Sequence, residues 1–298
     1  MIKMTLRKKL SQVMILEVDL ELLRHYSVDY VNLLSRIHFG GIMLKIKNIF
    51  EISSELVELV RKLKKPSLII YFQLDSTLKT GAMNYQKGLE IREKIKLLQV
   101  DVIVVTKERY CEDVIYGIKD EEIQLCHPIT QEKNYHQNDE KSSRFIQLSN
   151  LNLESDSPSH LHSHYLGKKI HNTRKYIETK IRPLYGNHTV IVDMDISENS
   201  GEGLNSDLMI SMGLLSGVDC IKIPIVFKNR KYFTEIEKIF NAIYLKCLKD
   251  SQLEYAVTRS SSRLGMFIQE QSLKKNYYEN LNCLYDKKTL NGNVLYYN

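Results

Sequence analysis

The chain has 298 residues, of which 43% are hydrophobic and 26% charged, and 42 basic against 36 acidic residues give it a formal charge of +6. This composition is typical of a globular protein with a core of ordinary size, and the length fits one α/β barrel of about 250 residues with a tail. Basic residues are spread along the chain and often alternate with acids, which argues against a nucleic-acid-binding protein.

In chain order, the N-terminal run from Leu10 to Leu23 contains acids at positions 17, 19 and 21. It is too acidic for the apolar core of a signal peptide. No stretch reaches the ~18 apolar residues of a transmembrane helix. We therefore expect a cytoplasmic protein that does not associate with a membrane.

Short β-branched runs then alternate with amphipathic stretches, which is typical of βα units. The predicted strands are Gln12–Val18, Gly41–Ile46, Leu68–Gln73, Val100–Val105, Arg144–Leu148, Thr189–Asp193 and Val218–Ile223. The predicted helices are Glu51–Lys64, Tyr85–Leu98, Lys169–Ile181, Leu204–Leu215 and Phe233–Leu248. Most strands are almost continuously apolar, as strands buried on both faces are. Seven candidates are one fewer than an eight-stranded barrel requires.

Two segments interrupt this alternation. Residues 128–143 are polar and irregular, which predicts a loop, and residues 273–298 form a Tyr-, Asn- and Lys-rich tail after the last long helix. We therefore divide the chain into a barrel domain at 1–272 and a C-terminal tail at 273–298. The five cysteines have no C-x-x-C spacing, so neither a disulfide framework nor a structural zinc site is expected.

Several motifs in order resemble a known family. Residues 4–13 (MTLRKKLSQV) are similar to its opening MTLEEKIGQM, and residues 38–44 (HFGGIML) to HVGGVILF. Residues 214–219 (LLSGVD) are similar to ALxAGxD, and residues 253–259 (LEYAVTR) to LDxSVxRIL. The family is glycoside hydrolase family 3, and the chain most resembles its single-domain bacterial β-N-acetylhexosaminidases.

The resemblance implies a TIM-type (β/α)8 barrel with catalytic groups at the carboxyl ends of strands. The family places a further strand and helix in the segment that here separates His160 from Asp193. We therefore expect a distorted or incomplete barrel, with about one βα unit shortened and a gap or irregular segment before Thr189–Asp193.

The resemblance also implies catalytic residues. A retaining glycosidase needs a carboxylate nucleophile and a proton donor about 5 Å away. Asp193 matches the family nucleophile, at the end of the strand TVIVD, with Asp195 as a second acid nearby. His160 matches the catalytic His on a loop, although Pro158 stands where the family has the Asp that orients it. Alternate spacing of His160, His162 and His164 would also suit a metal, but the family uses no metal, and we predict no cofactor.

The positions implied for substrate binding are only partly kept. Asn48 and Gln73 match, and Asp195 is a further candidate for substrate binding, whereas Phe72 and Leu74 replace an Asp and a Glu of the family's sugar-binding motif. The function implied is hydrolysis of an amino-sugar glycoside or cell-wall fragment by double displacement. Two alternatives remain open. One is a catalytically impaired barrel that binds sugar or protein. The other is an unrelated barrel enzyme of phosphorylated substrates, for which Gly201-Glu202-Gly203 is the candidate loop. The oligomeric state is not predicted.

Overall fold

A computed structural model of the chain describes residues 4–21, 39–46, 49–63, 69–74, 85–105, 112–118, 124–129, 145–148, 170–185, 189–193, 206–224 and 231–290. Within these ranges, eight parallel strands pair in sequence order and close into a barrel. The strands are β1 (Met14–Asp19), β2 (Gly41–Ile46), β3 (Ile69–Leu74), β4 (Val102–Val105), β5 (Gln124–Ile129), β6 (Phe145–Leu148), β7 (Thr189–Asp193) and β8 (Cys220–Pro224).

Helices lie between the strands and after the last one. They are α1 (Leu6–Gln12), α2 (Ser54–Leu63), α3 (Tyr85–Leu97), α4 (Glu112–Ile118), α5 (170–185), α6 (Ser206–Leu215), α7 (Lys231–Cys247) and α8 (Ser251–Leu290). A turn of 3₁₀-helix covers Ile49–Glu51, and α5 contains a π-helical turn at Ile177–Ile181. The predicted (β/α) barrel is therefore confirmed, and the seven predicted strands are found with ends that differ by at most two residues.

The strand that sequence patterns do not reveal is β5. Its sequence QLCHPI contains a proline and lacks a β-branched run, so it does not resemble a buried strand. As a result, the predicted loop at 128–143 is wrong at its start, because Pro128 and Ile129 belong to β5; residues 130–143 lie outside the described part.

The expected gap before Thr189–Asp193 is also wrong, because β7 pairs with β6 on one side and with β8 on the other. The short connection lies one strand earlier. Residues 130–144 alone join β5 to β6, whereas residues 149–188 join β6 to β7. The connection from β5 to β6 is the shortest between consecutive strands of the barrel, so the shortened βα unit is the one after β5.

Two adjacent glycines place β2 against β1. A Cβ on Gly40 would lie 2.2 Å from the Cα of Gln12, and the Gly40 amide donates to the carbonyl oxygen of Ser11 at 2.6 Å. A Cβ on Gly41 would lie 2.6 Å from the ring of Tyr71. Only glycine allows these approaches without displacing its neighbours, which gives the GG pair in the motif HFGGI a structural reason.

The last helix, α8, crosses the predicted boundary between residues 272 and 273. It continues as one helix of 40 residues to Leu290, so residues 273–290 extend the helix rather than follow it. The division into a barrel domain and a tail stays a prediction. In the part of the chain that the structure describes, no helix is long and apolar enough to span a membrane.

Helix α1 packs against α7 and α8. Lys9 Nζ donates to Thr258 Oγ1 at 3.1 Å, and Ser261 Oγ donates to Gln12 Oε1 at 2.6 Å in the buried contact of α1 with α8. Arg7 lies over the ring of Phe240, with its guanidinium carbon 5.4 Å from the ring centre. Helix α1 is thus held by the C-terminal helices as well as by β1.

Candidate active site in the barrel mouth

The inner face of the barrel is identified by contacts between strands. A Cβ on Gly41 would approach both Ile15 Cγ1, at 3.1 Å, and the Tyr71 ring, so these positions of β1, β2 and β3 face the same space. Burial raises the pKa of Tyr71 well above its ordinary value, and the nearby Cys220 and Cys126 raise it further. These thiols belong to β8 and β5, so Tyr71 lies inside the ring of strands.

Three charged side chains meet on this inner face. Lys222 Nζ lies 2.7 Å from Glu17 Oε2, and Lys45 Nζ lies 3.6 Å from Glu17 Oε1. Exposure increases along the group, since the side chains of Lys222, Glu17 and Lys45 are 7%, 17% and 38% exposed. The group therefore extends from the closed interior toward solvent, and we call it the mouth cluster.

The electrostatics fix the charge of the central carboxylate. Burial raises the pKa of Glu17, but the ammonium groups of Lys222 and Lys45 outweigh this effect, and the net pKa is lowered. Glu17 is therefore ionised at neutral pH and accepts hydrogen bonds. A carboxylate in this state serves as an acceptor or a base and is unsuited to act as a general acid.

The position of the mouth cluster is the one at which barrels of this kind carry their active sites. Glu17 and Lys45 lie two and one residues from the carboxyl ends of β1 and β2, and Lys222 lies two residues from the end of β8. In a (β/α) barrel, the loops at these ends surround the active site. Buried charges of this kind are costly unless paired, so their presence in a concave interior marks a candidate functional site.

The predicted site residues are placed only in part. Asp193 ends β7, and its Cα partner across the sheet is Lys222. Gln73 of β3 is the Cα partner of Lys45. The side chains of Asp193 and Gln73 lie outside the described part of the structure, as do the whole of His160, Asn48 and Asp195. The sheet register thus brings two of the five predicted positions next to lysines of the mouth cluster.

One expectation about the site is corrected. The replacement of a sugar-binding Asp by Phe72 suggests an apolar ring among the sugar ligands. Phe72 is fully buried and follows Tyr71 in the strand, so it lies on the opposite face, toward the helices. A side chain at position 72 does not reach the mouth, so the strand register does not support the match of this position to the family's sugar-binding Asp.

Sequence reasoning missed all three members of the mouth cluster. A signal was present, because each is the one charged residue within an apolar strand segment: MILEV, GIMLKI and CIKIP. In a strand buried on both faces, a lone charge must face either an ion-pair partner or a functional cavity. In the described ranges, no group of three or more His, Cys, Asp or Glu side chains is arranged to hold a metal ion.

Comparison with known proteins identifies the class of the fold. No protein-family model matches the chain, and no curated protein matches it in sequence. Among solved structures, a β-N-acetylhexosaminidase from Beutenbergia cavernae is similar with a TM-score of 0.57 and 9% identity, over 90% of this chain and 99% of that one. LpqI of M. tuberculosis is similar with a TM-score of 0.54 and 14% identity, over 89% and 94%.

A third similar structure belongs to a different activity. A mutant tryptophan synthase α-subunit from Pyrococcus furiosus gives a TM-score of 0.50 and 12% identity, over 78% of this chain and 98% of that one. At such identities, the likeness shows the fold alone. The chain has a TIM-type (β/α) barrel whose similar structures include glycosidases.

Proposed function

We propose that the chain is a glycosidase-type barrel that binds an amino-sugar glycoside, such as a cell-wall fragment, and hydrolyses it as β-N-acetylhexosaminidases do, by retaining double displacement. The observation that carries this proposal is the mouth cluster, whose ionised Glu17 is held by two lysines inside the carboxyl end of the barrel. Sugars carry many hydroxyl groups, each of which donates and accepts hydrogen bonds. A wall that alternates carboxylates and ammonium groups offers partners for both.

In this proposal, Asp193 is the nucleophile. Its position is the register partner of Lys222, and adjacent strands are about 4.8 Å apart. The two residues thus occupy neighbouring positions on the same face of the sheet, and a nearby ammonium group favours the ionised, nucleophilic form of a carboxylate. Lys222 would therefore hold both Glu17 and Asp193 as anions, one as a hydroxyl acceptor and the other as the attacking group.

The remaining roles follow the family resemblance. His160 is proposed as the group that first donates a proton to the leaving oxygen and then activates water. Asn48, Gln73 and Asp195 are proposed as contacts to sugar hydroxyls. For Gln73, the register supports this role, because its neighbour across the sheet is Lys45, the most exposed member of the mouth cluster.

A second candidate function is sugar binding without hydrolysis. The observation that favours it is Pro158, which stands where the family has the Asp that orients the catalytic His. Catalysis requires the proton donor to be held in its reacting geometry, and the loss of its orienting partner reduces that precision. A barrel of this kind could keep affinity for a sugar after losing turnover.

The deciding experiment measures turnover and binding on the same protein. Purified protein is assayed with the chromogenic N-acetylglucosaminide and a panel of other chromogenic glycosides, and sugar binding is followed by calorimetry. The enzyme proposal expects turnover that Asp193→Asn abolishes, with a glycosylated peptide containing Asp193 trapped by a slow fluorinated substrate. Glu17→Gln should weaken both turnover and binding, whereas Glu58→Gln, an exposed helix residue, should change neither.

The outcomes separate the two functions. Saturable sugar binding without turnover supports the second candidate, particularly if Glu17→Gln removes it. Neither binding nor turnover with any glycoside of the panel overturns both proposals. Turnover that survives Asp193→Asn overturns the assignment of the nucleophile.

A further inference from the structure

A second group of charged residues lies at the opposite end of the barrel, where the turn after α6 enters β8. Asp219 is fully buried there. Its Oδ1 accepts from Arg263 Nη1 at 2.7 Å, and its Oδ2 accepts from Arg182 Nη2 at 2.8 Å. The two arginines come from α8 and α5, so the carboxylate joins these helices to the start of the last strand. This group lies outside the mouth cluster and has no part in the proposed hydrolysis.

A third arginine adds charge that this carboxylate does not satisfy. Arg259 lies one helical turn before Arg263 on α8. Its Nε and Nη2 atoms are buried, and within the described part of the chain they contact no hydrogen-bond acceptor. Burial lowers the pKa of Arg259; Asp219 opposes this effect, and Arg263 and Arg182 add to it. Like charges four residues apart on a helix also repel each other.

The arrangement is therefore incomplete in hydrogen bonding at Arg259. Its guanidinium group lies close enough to Asp219, Arg182 and Arg263 to interact with them electrostatically. Arg263 uses a single nitrogen for Asp219, and its side chain is 21% exposed, while that of Arg182 is 18% exposed. The edges of the group thus reach solvent. Buried donors without acceptors are costly, and an anion that brings several oxygens relieves that cost.

We propose that Arg182, Arg259 and Arg263 form a binding site for a phosphate group at the end of the barrel opposite the mouth. A guanidinium group presents a planar fork of donors that matches phosphate oxygens in pairs. A phosphate dianion also supplies oxygen acceptors for the buried Nε and Nη2 donors of Arg259. The phosphate comes either from the free ion or from a small phosphate monoester, and both present the same oxygens to the arginines.

The test is a titration of the full chain with inorganic phosphate, and separately with glucose 6-phosphate, in a low-chloride buffer. Binding is followed by calorimetry and by the melting temperature. The wild-type protein should bind phosphate saturably and melt at a higher temperature when phosphate is present. Arg259→Met should raise the dissociation constant at least tenfold. In the control, Arg61→Met, the altered residue is an exposed arginine of α2 paired with Glu58, and phosphate affinity should be unchanged.

Each possible result either supports or overturns the proposed phosphate site. Tighter binding of glucose 6-phosphate than of phosphate supports the site and identifies a monoester as the ligand class. Tighter binding of the free ion supports the site with inorganic phosphate as its ligand. If Arg259→Met does not fold, Arg259→Lys keeps the charge, loses the fork, and should still bind phosphate more weakly. Absence of saturable binding, or equal binding by wild type and the Arg259 variants, overturns the proposal.

Discussion

Replacing Lys222 by methionine tests whether the mouth cluster is a tightly coupled ion pair. Methionine keeps the apolar stem and removes the ammonium group that lies 2.7 Å from Glu17. Removing one partner of a buried pair typically costs about 3–5 kcal/mol, because the other charge stays buried without compensation. Because Glu17 is 17% exposed and Lys45 remains 3.6 Å away, we expect the lower end, about 3 kcal/mol.

The pH dependence of the unfolding free energy is a second, independent measure of the interaction between Lys222 and Glu17. In the wild-type protein, the pKa of Glu17 is lowered below its ordinary value of 4.5. The stability that this ionisation contributes is present above pH 4.5 and lost as the pH falls through the folded value. In Lys222→Met, the effect of burial dominates and the pKa of Glu17 should rise. The variant then carries its penalty at neutral pH and is relieved of it in acid.

The assay is urea unfolding of wild type and variant between pH 4 and pH 8. The difference in unfolding free energy should be greatest near pH 7 and shrink as the pH falls. Lys45→Met is the matched control, since Lys45 is more exposed and more distant from Glu17, and it should cost about 0–1 kcal/mol. A pH-independent difference, or a loss below 1 kcal/mol for Lys222→Met, would refute the description of the mouth cluster as a coupled pair.

Further predictions concern the backbone and the opposite end of the barrel. Gly40→Ala should destabilise the protein by about 3 kcal/mol, because its Cβ would meet the backbone of Gln12. Gly265→Ala is the contrasting change: nothing lies within 4 Å of the added Cβ, and a helix-interior alanine should stabilise by about 0.5–1 kcal/mol. Thermal and urea unfolding measure both, and equal effects would contradict the close approach at Gly40. Asp219→Asn should cost about 3 kcal/mol, because its arginine partners lose their carboxylate; unfolding at neutral pH measures this, and a near-neutral effect would count against the buried cluster.

Much of the fold could be predicted because apolar strands and amphipathic helices alternate with clear periodicity. Gly41–Ile46 and Thr189–Asp193 were predicted to the residue, since the first is a compact apolar run followed by Lys47 and the second is one that ends at Asp193. β5 was not predictable in this way. It is defined by its hydrogen bonds to β4 and β6, and no local preference of the sequence QLCHPI indicates that pairing.

The candidate site, like the fold, could be predicted from the sequence only in part. The position of Asp193 at a strand end could be predicted, because strand ends follow from periodicity. The pairing of Lys222 with Glu17 could not, because these residues are far apart in sequence and meet only when β8 closes against β1. Family motifs also gave no indication, since Glu17, Lys45 and Lys222 fall outside the residues that carry the resemblance. Three-dimensional contact, rather than local pattern, defines this part of the site.

The closure of the sheet has a consequence for how the chain is made. β1 leaves the ribosome long before its second partner, β8, which begins only at Cys220. Throughout the synthesis of the intervening residues, one edge of an almost wholly apolar strand has no native partner. An edge of that kind is a template for wrong pairing between nascent chains. The contacts of α1 with α7 and α8 also form only after these helices have been made, so we expect the segment of α1 and β1 to need protection by a chaperone until β8 and α8 have been synthesised.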